Sequence, residues 1–202
     1  MGWILGKVLF SVPRENALAK TESLDIRLVR ADISAEALLS QPVAVSIALR
    51  DGEQRHIHGH VTRFGIGRNQ GRYFGYEISV RPWLWFLTRT SDCRIFQDMT
   101  VPEIVEKVFG DHGAIANFEF KLFGSYRKRV YCVQYRESDY QFVARLLEEE
   151  GIYWYVEHSV GAHKLVLVDA TGAHDASPHC ASLPYTEDLA HAPPDKEFAT
   201  RW

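Results

Sequence analysis

Three histidines, His56, His58 and His60, alternate along the run HIHGHVTRF. Alternate side chains of a strand share one face, so the three imidazoles could converge on zinc or another divalent ion. A metal-dependent hydrolase would also need an open ligand position and a general base. No HExxH or comparable partner accompanies them. The plainer reading is the polar outer face of a strand running into a turn. Gly65, Gly67 and Gly71 superficially suggest a phosphate loop. Such a loop needs a strand before it and a helix after it, so that the helix N-terminus meets the phosphate. The residues after Gly71 alternate like a strand, which favours a hairpin loop. Ser138, Asp139 and His158 have the residue types of a hydrolytic set. No G-x-S-x-G elbow surrounds the serine, and its hydroxyl has a helix-capping use. Catalytic, cofactor-binding and metal-ligating residues are therefore assigned to no position, and no cofactor is expected.

The elements that would hold these residues are easier to read. In ESDYQFVARLLEEEGIYWYVEH, residues 137–158, Ser138 reads as a helix N-cap. Gln141 follows three residues later, the spacing of a capping box. Phe142, Val143, Leu146 and Leu147 form an apolar stripe at helical spacing. Gly151 can take the left-handed conformation that ends a helix. Residues 152–156 are β-branched or aromatic and predict a buried strand. The unit is a docking element of capped helix, glycine stop and strand. Glu148, Glu149 and Glu150 crowd the helix C-terminus, where the macrodipole disfavours negative charge. They are either a solvated face or partners of basic residues such as Arg127, Lys128 and Arg129, in this chain or a neighbouring subunit.

The chain ahead of that unit is strand-rich. Residues 2–11, 24–30, 43–49, 56–64 and 72–81 read as strands, with Asp51-Gly52 as a tight turn. Tyr76, Ile78 and Val80 fall on one face of the last of these, and Glu77, Ser79 and Arg81 on the other. Ser34 could cap a short helix over 35–39, broken at Gln41-Pro42. Several short strands in fewer than a hundred residues predict an antiparallel barrel or sandwich. Beyond Pro82 the sequence turns aromatic. Thr100-Val101-Pro102-Glu103 forms a second capping box, with Val101, Ile104, Val105 and Val108 on the buried face and Gly110 closing the helix. Strands are expected over 118–122 and 131–135, and 164–168 should pair back on 152–156. Trp83, Trp85, Tyr153, Trp154 and Tyr155 supply aromatic area for a core or for a subunit contact. The expected domains are a β-barrel-like unit over 1–92, an α+β unit over 93–169, and an irregular segment over 170–202.

The motif E-S/T-D-x-x-F-x-x-R-L-x-E-E-E-G-I-x-Y resembles the signature of VgrG proteins, the spike of the type VI secretion system. It is carried here by Glu137, Ser138, Asp139, Phe142, Arg145, Leu146, Glu148, Glu149, Glu150, Gly151, Ile152 and Tyr153. The segments LLSQPVAVSI, HGHVTRF and RPWLWFLTRTSDCRIFQ are also similar to VgrG segments. The late control protein D of contractile-tailed phages, a baseplate hub, is a similar protein. The resemblance implies an α+β, β-rich fold: an antiparallel β-barrel-like hub domain followed by a smaller helix-plus-strand domain. It implies a homotrimer that caps a tube of haemolysin-coregulated protein (Hcp) and carries the spike tip and effector proteins. Baseplate proteins are further implied partners, and no enzymatic activity is implied. The chain is expected to be a front fragment, with more hub, an OB-like domain and a β-helical spike to follow. A phage tail baseplate hub is the nearest alternative.

Composition fits this reading. The 202 residues carry a formal net charge of −3, so nothing points to sequence-independent binding of phosphate backbones. Cys93, Cys132 and Cys180 include no CxxC pair, which argues against a disulfide framework or a cysteine zinc site. No run approaches the ~20 apolar residues of a membrane span, and the N-terminus lacks a basic start and a clean cleavage site. The expectation is a cytoplasmic protein that leaves the cell, if at all, through a dedicated machine rather than by a signal peptide.

Overall fold

The computed structural model describes residues 22–28, 33–48, 54–67, 74–174 and 185–186. The expected strand over 2–11, the Asp51-Gly52 turn, Gly71, Cys180 and most of 170–202 lie outside the described residues. The fold is β-rich α+β.

The first body is a four-stranded antiparallel sheet. Its strands are β1 (Glu22–Leu28), β2 (Pro42–Ala48), β3 (Gln54–Ile66) and β4 (Phe74–Arg81), in the order β1-β4-β3-β2. A short helix α1 (Ala35–Leu38) precedes β2. Ser34 stands at its N-cap but bonds the Glu36 carboxylate rather than a backbone amide. Alternation sorts β4 as its sequence predicts. Tyr76, Ile78 and Val80 are buried with Val61, and Phe64 stacks on Tyr76 with ring centroids 5.5 Å apart. Gly65 lies inside β3, not in the loop expected for it, because β3 and β4 stay paired out to Ile66 and Tyr76.

Gly59, midway along β3, is fixed by close approach. A Cβ there would lie 2.7 Å from both the Arg81 carbonyl oxygen and Val80 Cγ1. Neither can yield cheaply, since one is backbone and the other belongs to a β-branched side chain. Gly59→Ala is expected to destabilise the fold by about 1–3 kcal/mol, as overpacking does. A urea midpoint equal to that of the parent would contradict it.

The second body begins with a 3₁₀ turn, Trp83–Thr88, which drops Trp83, Leu84 and Leu87 into the core. It contains β5 (Ser91–Phe96), α2 (Val101–Gly110), β6 (Phe118–Lys121), β7 (Cys132–Ser138), α3 (Asp139–Glu149), β8 (Tyr153–His158) and β9 (His163–Val168). β5 and β7 form a two-stranded antiparallel sheet, and β6-β9-β8 a three-stranded mixed one. Trp83, Phe96, Phe109, Phe142, Leu146 and Leu165 meet in one cluster under both helices.

Both capping boxes form. Ser138 Oγ accepts from the Gln141 amide at 3.2 Å while Gln141 Oε1 accepts from the Ser138 amide at 3.1 Å. Thr100 and Glu103 do the same for α2. Gly151 takes φ +71°. The Ile152 amide then donates to the Leu147 carbonyl at 2.8 Å and the Gly151 amide to the Glu148 carbonyl at 3.2 Å. That is a Schellman stop, with Leu147 and Ile152 buried against the same core.

Gly110 closes α2 as its last residue, as expected, with Asp111 capping the helix in the right-handed region before a turn continues the chain. One expectation is corrected and one strand is added. The strand after Gly151 is half-exposed rather than buried, because β8 lies at an edge of its sheet and β9 takes the interior. β5 had no prediction as a strand; its partner β7 is some forty residues away in sequence.

Candidate functional site

His56, His58 and His60 lie on β3, but the structure gives each a separate partner. His56 Nδ1 is 2.9 Å from Ser46 Oγ on β2. His60 Nδ1 donates to the Ser40 carbonyl at 3.3 Å, and its ring meets Phe86 edge-on. His58 is buried, with Nδ1 2.8 Å from His163 Nδ1 on β9. The face expected to be a polar exterior is thus covered at His58 by the second body. Among the described residues, no three His, Cys, Asp or Glu side chains are grouped to hold a metal ion.

His163 was not singled out in the sequence, yet it is the hinge-pin of this region. Its Nε2 accepts from the Trp83 amide at 2.8 Å, and its carbonyl accepts from Asn117 Nδ2 at 3.0 Å. Burial, followed by the neighbouring His58, His60 and His158 rings, pushes its pKa down to about 3. Burial also lowers that of His58, with His60 a lesser cause. His158 belongs to the same group: its Nδ1 accepts from the His58 amide at 3.1 Å. The hydrolytic set Ser138, Asp139 and His158 does not assemble, since Ser138 caps α3 and His158 faces β3.

Asp139 anchors the second polar cluster. Oδ1 accepts from Arg94 Nη2 and Gln134 Nε2, each at 2.7 Å. Oδ2 accepts from Thr90 Oγ1 at 2.6 Å and lies 3.3 Å from His112 Nε2. Arg94 also bonds the Asp111 carboxylate and donates through Nε to Gln134 Oε1 at 2.9 Å. Burial pushes the Asp139 carboxyl up, but Gln134, Thr90, His112 and the Arg94 charge outweigh it and hold the pKa below the usual range. These groups tie the start of α3 to β5, β7 and the end of α2. Arg145 adds a bidentate grip on Glu137, with Nε and Nη2 at 2.7–3.2 Å from its oxygens, and donates to the Val133 carbonyl at 2.8 Å. At the other end of α3, Arg129 bonds Glu149 at 2.7 Å and Glu150 at 2.9 Å. Of the two readings of the acidic run, Glu149 and Glu150 follow the salt-bridge one, within this chain.

Every polar signature residue from Glu137 to Arg145 is therefore occupied in holding α3 in place, and Phe142 and Leu146 fill the core beneath it. Thr90, His112 and Asp139 meet in this cluster, with Thr90 Oγ1 3.5 Å from His112 Nε2, but the hydroxyl donates to the carboxylate at 2.6 Å.

A model of the phage tail baseplate hub (GPD) family matches residues 15–202. The chain belongs to that family. It is 49% identical over 154 residues, 76% of its length, to the type VI secretion system spike protein VgrG1b of Pseudomonas aeruginosa. With VgrG1c of the same organism it shares 44% over 184 residues, 90% of its length. It spans 21% and 25% of those two relatives. Among solved structures it is similar to the E. coli c3393 protein, at TM-score 0.70 and 28% identity, covering 77% of this chain and 43% of that one. That protein is described as a type VI secretion component with structural similarity to the bacteriophage T4 tail proteins gp27 and gp5. This hub-family chain thus shares its fold with tail proteins and its sequence most visibly with secretion spikes.

Proposed function

We propose that this chain is an architectural part of a type VI secretion spike and performs no catalysis. It forms part of a homotrimeric hub that caps the Hcp tube, carries the puncturing tip and effectors, and is driven out of the cytoplasm into a target cell when the machine fires. The observation that carries this reading is the use of the signature. Glu137 pairs with Arg145, Asp139 with Arg94, and Glu149 and Glu150 with Arg129, so these charges brace the two ends of α3. Identity of 49% to a named spike protein favours the secretion role over a phage baseplate. The metal-hydrolase alternative loses its basis because His56, His58 and His60 already have protein partners.

An assembly role also gives a use to the outer face of the β5-β7 ribbon. Ile95, Tyr131 and Tyr135 are exposed there, with Val130 adjoining, and apolar side chains gathered on one surface mark contact sites. Sedimentation equilibrium of the full-length protein should return a trimer. A stable monomer at micromolar concentration would defeat the proposal.

A further inference from the structure

We propose that the histidines between the four-stranded sheet and the second body form an acid-released latch, in which neutral imidazoles join the two bodies and protonation parts them. Two hydrogen bonds cross this seam, and a third, within the second body, holds His163 in place for them. His58 Nδ1 meets His163 Nδ1 at 2.8 Å, joining β3 to β9. The Trp83 amide donates to His163 Nε2 at 2.8 Å, joining the chain just after β4 to β9. The His58 amide donates to His158 Nδ1 at 3.1 Å, joining β3 to β8.

The tautomers follow from the partners. A backbone amide only donates, so His163 Nε2 is an acceptor and its ring proton is on Nδ1. That proton fills the short contact with His58, whose Nδ1 must accept; the His58 proton is then on Nε2. His158 Nδ1 likewise accepts. Each of the three bonds needs a bare imidazole nitrogen. A second proton on His163 would set Nε2–H against the Trp83 N–H. A second proton on His58 would set two N–H groups against each other. A proton on His158 Nδ1 would oppose the His58 amide. Neither of the paired rings can become cationic without losing a bond between elements.

Among the described residues, the groups around His58 and His163 are imidazole, aromatic or cationic. From β3 the seam receives His58 and His60, from β4 Arg81, from β8 His158, and from the 3₁₀ segment Phe86 and Trp85, the latter under the Arg81 and Arg89 guanidinium groups. Arg81 Nε is buried without a hydrogen-bond partner. On β8, Glu157 is engaged by Lys164 and Lys121. Among the described residues, no carboxylate bonds the His58 or His163 ring. The depressed His163 pKa has the matching sign. A group held neutral in the fold contributes stability that is fully present above its unfolded value of about 6.5 and lost as pH falls toward about 3.

Amide hydrogen exchange of the chain between pH 7 and pH 5 tests this, read as protection factors. Protection at Trp83 and His58 should fall about 25-fold for each imidazole that opening allows to protonate, while the Leu146 amide in α3 keeps its protection. His163→Gln supplies one acceptor and one donor without titrating, and should flatten the pH response at Trp83. Ring nitrogen-15 shifts of the parent give a readout independent of that variant's folding: His163 should be bare at Nε2 and protonated at Nδ1 at pH 7. Unchanged protection at Trp83 down to pH 5, or a doubly protonated His163 in the folded chain at pH 6, would overturn the latch. An equal pH response in parent and His163→Gln would overturn it as well.

Discussion

Asp139→Ala should lower the stability of the chain by about 3–5 kcal/mol, the range for breaking a buried ion pair from one side. The reason is what it leaves behind. Arg94 retains the exposed carboxylates of Asp92 and Asp111, but the Nη2 that faced Asp139 stays inside. Gln134 is fully buried and loses one of its two acceptors, keeping the Glu137 carbonyl at 3.2 Å, and Thr90 is left with only His112 Nε2 at 3.5 Å. An unsatisfied buried donor costs about 1–3 kcal/mol by itself. Asp139→Asn keeps one acceptor oxygen and should cost clearly less. The two variants separate charge from hydrogen bonding, and urea midpoints measure both. The carboxylate's lowered pKa fixes the sign with pH. Its contribution is complete above the unfolded value near 4 and fades as pH falls below it. Asp139→Asn should therefore lose less stability than the parent between pH 4 and pH 2. A loss under about 1 kcal/mol for Asp139→Ala at pH 7 would mean that the cluster behaves as a surface pair.

What the sequence showed and hid follows the reach of each interaction. Ser138 with Gln141, and Thr100 with Glu103, are three residues apart, so their bonds were legible as spacing. Gly151 was legible because a left-handed stop selects for glycine. The β8-β9 hairpin joins neighbours in the chain, and the run over 164–168 announced it. Arg94 and Asp139 are 45 positions apart, and His58 and His163 are 105. No period or motif links such residues; packing within the second body brings Arg94 to Asp139, and packing of the two bodies brings His58 to His163. β6 pairs parallel to β9 across a similar gap, and parallel pairing needs a long crossover that leaves no local turn signal. The alternation at His56, His58 and His60 gave the strand correctly. It could not show that one of the three meets an imidazole from the far end of the chain.

Phe142→Ala should cost about 3–5 kcal/mol, the usual loss for a fully buried aromatic. The ring has no exposed surface, stacks on Phe96 at 5.6 Å between centroids, and lies under the Arg145 guanidinium at 5.0 Å. Truncation opens a cavity beneath α3 that neither neighbour can close, since Arg145 is fixed by Glu137 and Val133 and Phe96 by β5. Phe142→Leu should recover much of the loss by refilling volume. Tyr135→Ala makes the contrast that matters for function. Tyr135 points outward from the β5-β7 ribbon and is 63% exposed, so in this chain its loss should change stability by no more than about 0.5 kcal/mol. In the full-length protein the same substitution should shift sedimentation from trimer toward monomer. If α3 is a scaffold for a surface used elsewhere, the two variants divide cleanly: Phe142→Ala melts the chain, and Tyr135→Ala leaves the melt unchanged and weakens assembly. An unaltered urea midpoint for Phe142→Ala would instead show that α3 is not seated on this core.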